Sequence, residues 1–224
     1  MSSDPSQADD GPAAALSDRL DEIPPWLRPL APVVVLLIGM WTVEIVDVPL
    51  DGRLDRFGVL PRQLAGLDGV LFAPFLHAGF GHLMANTLPF LVLGGAVAYS
   101  GLRQYALVTA IVMAGSGAGM WLFGSPNSLQ VGASGLVFGY LTYLLARGFI
   151  ARRVTWIMGA GVIALFYGSL LWGLIPRNGV SFSGHLFGAL SGIGAAWLLH
   201  RRGGEEPDNA LYAGDEAAGG GRAS

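Results

Sequence analysis

Between Asp68 and Glu205 the chain contains no acidic residue, and this gap of well over half the sequence restricts the solvent in which it can fold. A soluble domain keeps roughly a quarter of its residues charged, whereas here only 13% are charged and 52% are hydrophobic. A charge at the centre of a bilayer costs about 2.5 to 3.5 kcal/mol on insertion scales. That cost empties a lipid-embedded segment of carboxylates. The middle of the chain is therefore built for lipid. With no cysteine there is neither a disulfide, nor a thiolate nucleophile, nor a thiolate-bound metal. A net charge of -3, without a dense basic stripe, argues against nucleic acid as a partner.

A helix needs about 20 apolar residues to cross about 30 Å of hydrocarbon. Six stretches approach that length, near 29 to 48, 82 to 100, 103 to 123, 133 to 149, 153 to 175 and 183 to 200. The expected fold is an all-α, polytopic membrane protein of one six-span bundle over residues 29–200. It is flanked by disordered cytoplasmic tails, 1–28 and 201–224. The first tail is acidic, with Asp4, Asp9, Asp10, Asp18, Asp21 and Glu22, unlike the basic start of a signal peptide. The longest loop, 51–81, mixes Asp51, Asp55 and Asp68 with Leu71, Phe72 and Phe75 and reads as a partly buried interfacial element.

Arginine supplies all 13 basic residues. Arg19, Arg28, Arg103, Arg147, Arg152, Arg153, Arg201 and Arg202 fall on one side of the predicted spans; Arg53, Arg56, Arg62 and Arg177 fall on the other. The positive-inside tendency then makes both termini cytoplasmic in a cell membrane, with the loops before spans four and six on the external side.

Three segments carry polar groups that lipid-facing helices avoid, all at external ends of spans: His82 with Asn86, Ser134 within Gly132-Ala133-Ser134-Gly135, and His185 before Gly188. Their convergence lets each satisfy the others. Ser134 falls in the first turn of span four, where backbone N–H groups are unpaired and the dipole is positive. Alone it reads more readily as a helix-capping serine. A serine hydroxyl becomes nucleophilic when a base about 3 Å away takes its proton; His185 either supplies an imidazole for that task or merely bonds a carbonyl between helices. Gly188 and Gly192 leave a smooth strip below His185, and Gly135 and Gly139 make a matching strip on span four. Such strips let two helices approach backbone to backbone. The missing acidic residues leave a Ser-His dyad in place of the triad of soluble serine proteases. Phe138, one turn after Ser134, is placed to stack on the His185 ring or to make ordinary packing contacts. His82 and Asn86, four apart on one face, are either oxyanion donors or interhelical hydrogen-bonding groups. His77 organises its loop.

These segments resemble the rhomboid family of intramembrane serine proteases. His77-x4-His82-x3-Asn86, Gly132-x-Ser134-Gly135 and His185-x2-Gly188-x3-Gly192 occur in that family's order. The resemblance implies Ser134 as nucleophile, His185 as general base, His82 and Asn86 as oxyanion donors, and a water-filled cavity open to the outside. It also implies a substrate helix arriving laterally past span five. Two positions depart from the family's pattern: Pro61-Arg62 stands where a Trp-Arg pair is common, and Gly184 precedes the last histidine where Ala is common. The expected activity is serine endopeptidase cleavage of single-span or other membrane proteins in the lipid bilayer, without metal or other cofactor. A catalytically inactive client-binding protein and a small transporter are the alternatives. Two intramembrane aspartates or an H-E-x-x-H helix, which other intramembrane proteases need, do not occur.

Overall fold

In hydrocarbon every backbone N–H and C=O must pair within its own segment, so long apolar runs become helices. The computed structural model describes residues 23–150, 154–175 and 181–200. Its main helices are α1 (Ala31–Asp47), α2 (Phe80–Ala98), α3 (Leu102–Phe123), α4 (Ser134–Ile150), α5 (Val154–Tyr167) and α6 (Phe182–His200). The described residues contain no strand, only a single antiparallel bridge between Val59 and Gln130. Most of both expected tails lies outside the described residues, as do 176–180 and Arg19, Arg152, Arg153, Arg177, Arg201 and Arg202.

Five segments among the described residues are long and apolar enough to cross a membrane: Arg28–Leu50, Phe80–Ala98, Leu102–Phe123, Val154–Leu174 and Phe182–His200. The sixth, α4, has 17 residues, about 25 Å at the rise of an α-helix. It is short because it is central: from Gly135 through Leu144 every residue is buried. Span five departs from a continuous α-helix. At Gly168, a poor helix former, it tightens into a 3-10 segment, Gly168–Leu174.

α4 packs against α6 through glycine. A methyl group at Gly188 would overlap the Gly135 carbonyl oxygen, and one at Gly192 would overlap that of Gly139. Thr142 Oγ1 adds an interhelical bond, donating to the Ala189 carbonyl at 2.7 Å. α5 is the least embedded helix, with Ala160 its only buried residue, and its Leu165 and Phe166 face outward.

The 51–81 loop is built of short 3-10 and α-helical segments, with Val59 and Ala73 buried and Leu64, Leu67, Leu71 and Phe72 exposed. This is the pattern of an interfacial element. Val59 and Gln130 exchange backbone hydrogen bonds of 2.9 and 3.0 Å. Arg62 donates through its backbone to Trp121 and through Nη1 to the Leu122 carbonyl, capping the C-terminal end of α3.

At the opposite end of the bundle lies a buried polar cluster. Gln104 Nε2 donates to the Tyr143 hydroxyl at 2.8 Å, which lies 2.9 Å from His200 Nε2. Arg147 donates to the Ser100 hydroxyl and sits 3.5 Å over the Trp156 ring.

Because the α4–α6 seam has no room for a side chain, Gly192→Leu lowers stability by about 1–3 kcal/mol. Gly194→Leu, where nothing lies within 4 Å of an added Cβ, stays within about 0.5 kcal/mol of wild type. Unfolding of the two variants in detergent, followed by circular dichroism, measures the contrast.

Candidate active site

The chain reaches α4 through a turn that only glycine accommodates comfortably. Gly132 has φ +116°, a region closed to most side chains, and a Cβ there would meet the His82 ring at 2.6 Å. Two bonds hold the turn: Gly132 N–H donates to the Ala73 carbonyl (2.8 Å), and Ala133 N–H to His77 Nε2 (3.3 Å). α4 then opens at Ser134, whose first-turn N–H groups have no acceptor within the helix.

The start of α6 is tied to the same loop. Gln130 Oε1 accepts hydrogen bonds from Ser181 and, at 3.0 Å, from Ser183. Ser181 Oγ in turn accepts the Gly184 N–H at 3.1 Å, capping α6. Together with the glycine seam, this latch sets the distance between the two helix tips. Ser134 Oγ lies 2.9 Å from His185 Nε2. His185 Nδ1 lies 2.9 Å from the Gly173 carbonyl oxygen. A carbonyl can only accept, so Nδ1 carries the imidazole proton and Nε2 presents a lone pair to the serine hydroxyl. Phe138 stacks on the imidazole, with ring centroids 4.2 Å apart and planes 14° apart. His185 is buried while Ser134 remains partly open.

His82 and Asn86 share one face of α2. The His82 ring packs on Gly132 and, edge to face, on His77 at 5.2 Å between centroids. Asn86 Nδ2 donates one hydrogen to the His82 carbonyl at 3.1 Å, which leaves its second hydrogen available. Neither side chain hydrogen-bonds Ser134; both lie on the helix beside the turn that carries it.

Sequence reasoning missed Gly173, Gln130 and Ser181. Gly173 acts through its backbone, which has no residue-type signature. Ser181, three residues before Gly184, carried a legible helix-capping signal. Gln130 is a polar residue buried in a loop, and nothing in its sequence neighbourhood distinguishes it.

His77 is buried, and its pKa is pushed down to about 4, chiefly by burial and then by the His82 ring, against an opposing pull from the Phe75 backbone. It is therefore neutral near pH 7, as accepting the Ala133 N–H requires. An unfolded histidine titrates near 6.5, so between about 6.5 and 4 the unfolded chain binds more protons here than the folded one. His77's contribution to stability is thus intact above pH 6.5 and is lost as pH falls towards 4. Melting temperatures from pH 7 to pH 4 fall less steeply in His77→Leu than in wild type, although the variant is less stable at pH 7.

Residues 65–202, more than half of the chain and every helix that bears a site residue, match the Rhomboid domain. Uncharacterized protein Rv1337 of Mycobacterium tuberculosis is 41% identical over 186 residues, spanning 79% of this chain and 77% of the relative. Uncharacterized protein ML1171 of Mycobacterium leprae is 39% identical over 183 residues, 78% of this chain and 72% of the relative. Rhomboid-like protein 11, chloroplastic, of Arabidopsis thaliana is 30% identical over 147 residues, 58% of this chain and 51% of the relative. With its long apolar helices and a domain match covering the whole site, this integral membrane protein belongs to the rhomboid family.

Proposed function

We propose that the protein is an intramembrane serine endopeptidase acting on membrane-anchored proteins through a dyad of Ser134 and His185. The observation that carries this reading is the 2.9 Å approach of Ser134 Oγ to an imidazole nitrogen whose partner nitrogen is already engaged. In the proposed reaction Oγ attacks the scissile carbonyl carbon as its proton passes to His185 Nε2. The negative charge then gathers on the carbonyl oxygen, near the first-turn N–H of Ser134 and the donors of His82 and Asn86. The imidazolium returns its proton to the departing amine, and a water molecule, deprotonated by the same nitrogen, cleaves the acyl-enzyme. Only these groups and water take part.

The position of Ser134 at the end of its span suits water arriving from outside a cell membrane, with both termini cytoplasmic. Substrate helices that are weak near the cleaved bond fit best, because a carbonyl already paired within a helix resists attack.

Cleavage of single-span reporters in liposomes, together with fluorophosphonate labelling, tests the proposal. Wild type cleaves and is labelled, Ser134→Ala does neither, and His185→Ala loses about 10³-fold or more in turnover. An intact wild type that is neither labelled nor active points to client binding, and solute uptake that survives Ser134→Ala points to transport. Removing one oxyanion donor typically costs about 2.7 to 4 kcal/mol, so Asn86→Ala lowers kcat by about 10²- to 10³-fold. The acid limb of the rate profile follows protonation of His185, since imidazolium cannot accept the serine proton; a rate flat to pH 4 contradicts the role of His185 as base.

A further inference from the structure

We infer that the Gly173 carbonyl is the positioning acceptor for His185, filling with an uncharged backbone group the place that a buried carboxylate holds in soluble serine proteases. The inference rests on the proposed role of His185 as base, and its structural half can be read separately.

The 2.9 Å contact fixes the tautomer. Were the proton on Nε2, the Nδ1 lone pair would face the carbonyl lone pairs at the same distance, and Nε2 could not accept from Ser134. One hydrogen bond thus orients the ring and selects the form able to take a proton. The ring plane is held independently by the Phe138 stack. The three groups form a closed clamp, because a Cβ at Gly173 would lie 2.6 Å from Phe138 Cζ and 3.4 Å from His185 Nδ1. Glycine at 173 is what lets the carbonyl come within reach. No acidic residue exists between Asp68 and Glu205 to supply a carboxylate from the later spans. A neutral acceptor also avoids the cost of desolvating a second charge beside the imidazolium.

The element that delivers this carbonyl is weakly anchored. The segment Gly168–Leu174 contains no buried residue, and the α5 helix before it buries only Ala160. N–H···O hydrogen bonds in proteins span about 2.7 to 3.2 Å, and a contact beyond about 3.6 Å is no longer one. A shift of the segment by roughly 1 Å therefore releases Nδ1 and frees the ring to adopt the unproductive tautomer. The competence of the base is in this way tied to the docking of the end of span five.

¹⁵N NMR of histidine-labelled protein near pH 8, where unperturbed imidazole is neutral, reads the tautomer directly. The chain has four histidines, and loss of a signal in His185→Ala makes the assignment. We expect His185 Nδ1 as the protonated, pyrrole-type nitrogen and Nε2 as the pyridine-type one. A protonated Nε2, or an even mixture in wild type, overturns the inference whatever the Gly173 variant does. In Gly173→Ala the added methyl pushes the carbonyl away. The tautomers then mix, and kcat falls by about 10- to 100-fold with KM within about twofold, below the roughly 10⁴-fold loss that a fully wrong tautomer brings. Gly161→Ala, in α5 before that segment, where an added Cβ meets nothing within 4 Å, matches wild type in both readouts. A folded Gly173→Ala with wild-type tautomer and kcat refutes the role of Gly173. Hydrolysis with a protonated Nε2 sinks this inference alone, whereas a protonated Nδ1 without hydrolysis sinks the proteolytic reading alone.

Discussion

The bundle depends on one close approach: the carbonyl oxygens of Gly135 and Gly139 occupy the space where side chains at 188 and 192 would begin. Lipid tails are as apolar as leucine, so no hydrophobic force drives helices together inside a bilayer, and packing with a few hydrogen bonds must suffice. Here the packing is glycine on glycine, and Thr142 and the Gln130 latch add the polar bonds. The separation of Ser134 from His185 is inherited from this seam. A misplacement of about 1 Å at a reacting pair can cost on the order of 10²-fold in rate. The same glycines that let the helices associate therefore also set the geometry on which the proposed chemistry relies.

Much of this was legible in the sequence because the bilayer penalises exceptions so heavily. A span without carboxylates and an isolated polar residue at its end are strong signals when each misplaced charge costs several kcal/mol. The spans are legible to within a few residues, and so are the three polar segments at their ends. The glycine spacing on the fourth and sixth spans pointed to the faces that meet. What could not be read was carried by backbone or by tertiary context. Gly168 does not announce that span five tightens into a 3-10 segment, nor does Gly173 announce that its carbonyl meets an imidazole. Gln104, Tyr143, Arg147 and His200 lie on three helices, and only the fold collects them. Glu44 and Asp47 are buried in the first span, where Asp47 accepts the Leu54 N–H at 2.7 Å. Charge counting alone treats such residues as ordinary flanking acids.

The central helix explains why polar groups gather at both of its ends. An α-helix carries about half a positive charge at its N-terminus and half a negative charge at its C-terminus, and burial of α4 leaves little water to screen either. The negative end is answered within the fold: Arg147 lies in the last turn, buried, with its guanidinium over Trp156 and bonded to Ser100. The positive end is left open. Ser134 begins the helix, and its turn is held by bonds to Gly132 and Ala133, so the first-turn N–H groups are not consumed in fixing it. A helix closed with a cation at one end and carrying unused donors at the other is poised to stabilise negative charge beside the Ser134 hydroxyl. That is where the proposed acyl transfer would develop it.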